Sequence, residues 1–123
     1  MERLAKILTG FVAAEHNGIL ILEVFFWDHP VGRQIFGMTS ETAANTSVLA
    51  ANQGIYNGFL AAGLIWGLIA KNRQLMLFFL GCVIVAGIFG GITAKTSIFF
   101  TQALPAIVAF ALVATRMSER SES

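Results

Sequence analysis

Charge is what this sequence has least of. Of its 123 residues only 12% are Asp, Glu, Lys or Arg, against 56% apolar, and the net charge is +1. A soluble domain carries about 25% charged residues. With half of that the chain could not coat its surface, whereas a bilayer solvates apolar surface directly. No basic stripe and no interleaving of basic and aromatic residues is present, which excludes nucleic acid as a partner. There is one cysteine, Cys82, inside an apolar run. It allows no intrachain disulfide and no cysteine-based zinc site, and it reads as a small buried core residue. Of the two histidines only His16 lies in an apolar stretch.

What is present is long apolar runs. A membrane-spanning helix needs roughly 20 mostly apolar residues. Four such stretches cover residues 4–27, 48–70, 75–93 and 98–115. The fold class is therefore all-α, a single four-helix transmembrane domain over residues 1–123. Asp28-His29-Pro30 ends the first span, because proline disfavours helix in the residue before it. Lys71-Asn72-Arg73-Gln74 separates the second span from the third, and a tight turn at Ala94-Lys95-Thr96-Ser97 joins the third to the fourth. The polar tail from Arg116 to Ser123 should fray. Arg3 and Lys6 before an apolar stretch resemble a signal peptide, but Glu15 and His16 interrupt the run and three further spans follow, so the segment reads as retained.

Short-loop Lys and Arg set orientation. Arg3, Lys6, Lys71, Arg73, Arg116 and Arg120 fall on one side, and only Arg33 and Lys95 on the other. This predicts both ends in the cytoplasm and the longest loop, from Asp28 to about Ser47, outside. Within that loop Thr39 or Ser40 can cap a helix with Glu41 in its first turn, so the second helix is expected to start near Glu41, beyond the bilayer. The mixed stretch from Val31 to Met38 is expected to lie in the interface or fold over the mouth of the bundle.

Small residues replace the hydrophobic drive for helix packing in lipid. Gly54, Gly58 and Ala62 repeat on one face of the second span, and Gly63 with Gly67 on an adjacent one. The third span offers Gly87 with Gly91, and Ala86 with Gly90. The pattern predicts tight packing of the second span on the third, or a homodimer through these faces. Pro105 should kink the fourth span or free a carbonyl. Phe78, Phe79, Phe99, Phe100 and Phe110 face lipid or fill the core.

The first span carries Glu15, His16, Asn17 and Glu23. A charge at a span centre costs about 2.5–3.5 kcal/mol on insertion scales, and a good apolar residue returns only about 0.3–0.6 kcal/mol. His16 and Glu23, seven apart, share a helix face with Trp27, and Glu15 lies roughly 100° away. Trp27 reads as an interfacial anchor and His29 as a surface residue. Counting inward from Val48 places Asn52 and Gln53 level with Glu23, and Tyr56 and Asn57 level with Glu15 and His16. The fourth span adds Gln102. The expected site is an outer-half polar pocket of Glu15, His16, Glu23, Asn52, Gln53, Tyr56, Asn57 and Gln102.

At these residues the chain resembles a bacterial family of small four-helix membrane proteins classified only as a domain of unknown function, sometimes labelled "epimerase". The matching stretches are Phe11-Val12-Ala13-Ala14-Glu15-His16, Glu23, Trp27, the run from Gln53 to Leu64, the run from Gly81 to Gly90, and Gln102-Ala103-Leu104-Pro105-Ala106. The resemblance implies four spans and a bacterial cytoplasmic membrane. No nucleotide-binding Gly-rich turn supports the "epimerase" label. Small multidrug-resistance transporters are similar in having four short spans and a glutamate in the first, but the long outer loop and the charge bias depart from them.

Four functions compete. The first is a pocket for a lipophilic small molecule, with Glu15 and His16 as an acid–base pair; such chemistry needs proton affinities held apart, and imidazole exchanges near neutral pH. The second is proton-coupled transport with Glu15 as the coupling carboxylate. The third is a metal or haem site, which with one intramembrane histidine needs carboxylates or a second chain. The fourth is a structural subunit of a larger complex.

Overall fold

The computed structural model describes residues 2–117. Of the tail expected to fray, Arg116 is the last residue of the final helix, and residues 118–123, Arg120 among them, lie outside the described residues. The described chain is helical: α1 (Glu2–Phe25), α2 (Pro30–Phe36), α3 (Ser40–Ala70), α4 (Arg73–Thr93), then a π-helical turn (Phe99–Ala103) that runs directly into α5 (Leu104–Arg116). Four stretches are long and apolar enough to cross a membrane, namely Glu2–Phe25, Ser40–Ala70, Arg73–Thr93 and Phe99–Arg116. This is a multi-pass membrane protein.

The long first connection is structured. His29 Nδ1 accepts a hydrogen bond from Val31 N at 3.1 Å and Pro30 opens α2, a position where its missing N–H costs nothing. Gly37 closes α2 at φ 63°, the left-handed conformation that favours glycine, and Met38 N donates to Arg33 O at 2.9 Å. α3 then begins at Ser40, close to the expected Glu41. Thr39 Oγ1 caps it, accepting from Thr42 N at 3.1 Å. With 31 residues α3 is about 46 Å long, well beyond a hydrocarbon core of about 30 Å.

The chain forms two compact units: residues up to Ala14 together with those from Leu60 onward, and Glu15–Phe59. In the first, Val12, Leu64, Met76, Leu80, Val83, Ala106, Ala109 and Val113 make a fully buried core. Asn72 Oδ1 caps α4 by accepting from Leu75 N at 3.0 Å. Arg73 Nη2 donates to Ala114 O at 2.9 Å, placing a cation on the carbonyl end of α5 where the helix dipole favours it. Pro105 is absorbed ahead of itself. Leu104 N donates to Phe99 O, five residues back, so the helix widens by one residue where proline has no N–H to give.

The glycines are distributed over three contacts rather than concentrated between the second and third spans. In the first unit a Cβ at Gly67 would lie 2.8 Å from Met76 Cγ, one at Gly63 would strike the Phe79 ring, and one at Gly87 would lie 2.8 Å from Ala103 N. In the second unit, Gly54 and Gly58 face α1: a Cβ at Gly54 would lie 2.8 Å from Val24 Cγ2, and one at Gly58 would strike Leu20. These five glycines are in contact with their own chain, and Ala62 is exposed. Among the phenylalanines, Phe78 and Phe100 are exposed and Phe79, Phe99 and Phe110 half-buried. Cys82 is not a buried core residue. It is half-buried and, with Leu77, Phe78, Gly81, Val85, Ala86 and Phe89, lines an apolar groove of about 710 Å³ on α4.

Candidate functional site

The candidate residues of the second unit lie on α1 and α3. Glu15 and His16 fall near the middle of α1. His16 is 1% exposed, on the face that also buries Ala5, Thr9, Val12 and Ala13. That face has the three- and four-residue spacing of a helix stripe. Glu15 is half-buried, and its Oε1 is buried while accepting no hydrogen bond.

Eight residues further along, about 12 Å up the axis, Glu23 meets α3. Asn57 Nδ2 donates to Glu23 Oε1 at 2.7 Å and also to Gln53 O at 3.1 Å. Asn57 therefore stands level with Glu23, not with Glu15 and His16 as counting inward from Val48 had placed it. The register is set by the close approach of Gly54 and Gly58 to Leu20, Glu23 and Val24. That contact, and not the hydrophobic run, fixes which turns of α1 and α3 face each other.

Asn52, Gln53 and Tyr56 make no side-chain hydrogen bond to this pair. Asn52 is exposed and its Nδ2 donates back to Val48 O at 3.2 Å. Gln53 is exposed and contributes its backbone carbonyl. Tyr56 is 61% exposed, with its ring edge-on to Phe59 at 5.9 Å. Gln102 is half-buried in the π-helical turn, in the other unit. None of the candidates lines the groove on α4.

Sequence reasoning passed over Thr46. Trp27 Nε1 donates to Thr46 Oγ1 at 3.0 Å, and Thr46 Oγ1 donates to Thr42 O at 2.7 Å. Trp27 is thereby tied to α3 and also packs on Phe36 of α2, with ring centroids 4.8 Å apart, which is more than an anchor in the interface. The signal was available in Thr39, Thr42 and Thr46, a cap followed by hydroxyls one turn apart. His29 is exposed, as expected, and its second role is to cap α2. Among the described residues no group of three or more His, Cys, Asp or Glu side chains is placed to hold a metal ion.

The family described as "Protein of unknown function (DUF1304)" matches residues 10–114. The chain belongs to this DUF1304 family. A relative, "Uncharacterized protein YpaA" of Lactococcus lactis subsp. lactis (strain IL1403), is 34% identical over 113 residues, which cover 89% of this chain and 95% of the relative. The DUF1304 match begins before Glu15 and ends beyond Gln102, so it takes in every candidate residue. No solved structure matches.

Proposed function

We propose that the chain is a protein of the bacterial cytoplasmic membrane, with both ends in the cytoplasm, in which Glu15 and His16 receive a lipophilic small molecule and exchange a proton with it. The orientation rests on the six-to-two division of Lys and Arg between the two sides. The site rests on one observation, the buried Glu15 Oε1 that accepts no hydrogen bond beside a His16 that is 1% exposed.

A buried acceptor without a donor costs about 1–3 kcal/mol. A hydroxyl or amine on a ligand would satisfy Oε1 and offset that cost. The proton would pass from the ligand to the carboxylate or imidazole and return, with no other bond made or broken. Glu23 and Asn57 would hold α1 and α3 in register above the site. Asn52, Gln53 and Tyr56, exposed on α3, would meet the ligand on approach.

Native mass spectrometry of the detergent-extracted protein tests this, with wild type beside Glu15→Gln and His16→Ala. A small molecule carried by the wild type and lost from both variants is the expected result. Bare chain masses for all three proteins would sink the reading.

A second reading, proton-coupled transport with Glu15 as the coupling carboxylate, is favoured by the position of Glu15 near the middle of its span. It predicts proton movement in vesicles that Glu15→Gln abolishes.

A further inference from the structure

We propose that α2 lies on the bilayer surface where α1 leaves the membrane, with Val31 and Ile35 set into the boundary of the acyl chains. This placement requires α1 to cross the membrane and is independent of any ligand at Glu15 and His16.

Three sides of this seven-residue helix have distinct surroundings. Gly32 and Phe36 face the protein. A Cβ at Gly32 would collide with Phe26 O at the end of α1, and Phe36 packs on Trp27. At 100° per residue, Val31 and Ile35 share one direction and Arg33 points the opposite way. Arg33 Nη1 pairs with Asp28 Oδ1 at 3.1 Å. One exposed side of α2 is thus ionic, and the side opposite presents Val31, 47% exposed, and Ile35, 53% exposed. This is the layout of a helix lying in an interface, apolar side down and charge toward water.

The position of α2 points to lipid as the occupant. Gly32 presses α2 against the end of a spanning helix, so its depth is tied to that end. Phe25, the last residue of α1, is 71% exposed and continues the apolar surface up to the same level. Two aliphatic side chains fall far short of the roughly 800 Å² per partner that a stable protein interface buries. The acyl boundary needs no such area, because each buried methylene contributes about 0.8 kcal/mol. The Arg33–Asp28 pair is internally neutral, so a zwitterionic surface suffices.

Site-directed spin labelling tests this in phosphatidylcholine vesicles. Labels go at Val31→Cys, Ile35→Cys and Gln34→Cys in full-length protein carrying Cys82→Ala, each verified as folded by circular dichroism. Collision with oxygen, which concentrates in lipid, is compared with collision with a water-soluble nickel complex. The expected oxygen-to-nickel ratio at positions 31 and 35 is several-fold that at exposed position 34. Equal ratios at all three positions would place α2 in water and overturn the proposal. Exclusion of both reagents at 31 and 35 would also overturn it, since a protein partner would then cover them. Two labelled positions on the same face keep the test open if one variant does not fold.

Discussion

Asn57 donates a 2.7 Å hydrogen bond to Glu23, joining two helices across 34 residues of chain. Interhelical polar bonds of this kind are worth about 0.6 kcal/mol on average in a membrane and at most about 1.7 kcal/mol. A double-mutant cycle with Glu23→Ala and Asn57→Ala, read by unfolding in mixed micelles, should return a coupling energy in that range. A coupling of zero would mean that the glycine contact alone holds α1 against α3.

Gly54→Val and Gly18→Ala should have opposite effects. A Cβ at Gly54 falls 3.0 Å from Glu23 Cβ and 3.3 Å from Leu20 O, and overpacking of this kind costs about 1–3 kcal/mol. At Gly18 nothing lies within 4 Å, and alanine is the better helix former by about 0.5–1 kcal/mol. Thermal unfolding in one detergent should rank Gly18→Ala above wild type and Gly54→Val below it. The opposite order would contradict the packing described for α1 and α3.

Thr46→Val keeps the shape of the side chain but removes the oxygen that Trp27 Nε1 reaches. Leaving that donor unpaired should cost about 1 kcal/mol, and Thr46→Ser should restore most of it. Unfolding followed by tryptophan fluorescence measures both, and equal stability of the Val and Ser variants would show that the bond contributes nothing.

Glu15→Leu should stabilise the ligand-free protein while Glu15→Gln abolishes binding. Replacing an unpaired buried acceptor by an apolar group recovers about 1–3 kcal/mol, and a gain in stability with a loss of function marks a residue kept for its chemistry. Unfolding of delipidated protein decides the point. A destabilised Glu15→Leu would show that the carboxylate supports the fold.

Asn57 stands level with Glu23 because Gly54 and Gly58 let α3 approach α1 there, a relation that counting inward from Val48 does not show. Val48 is where the second apolar run begins, but α3 begins eight residues earlier, at Ser40. The cap at Thr39 that starts it was readable in the sequence, whereas the depth of α3 against α1 was not. Asn52, Gln53 and Tyr56 are polar residues in an apolar run, and composition alone could not show that they point outward. Cys82 misled for the same reason, since lipid-facing and core-facing residues of a spanning helix are equally apolar.

Local chemistry determined the helical class, the four apolar stretches, the breaks at Asp28-His29-Pro30 and Lys71-Gln74, and the unusual acids of α1. Each depends on residues close in sequence: twenty apolar side chains in a row, a proline, a capping hydroxyl. Tertiary structure decided what lies opposite what: Asn57 on Glu23, Trp27 on Thr46 and Phe36, Arg73 on the end of α5, and the five glycines shared among separate contacts. The pairing of Asn57 with Glu23 follows from how closely two backbones can approach where Gly54 and Gly58 lack a Cβ, and that distance is a property of two helices together, not of either sequence alone.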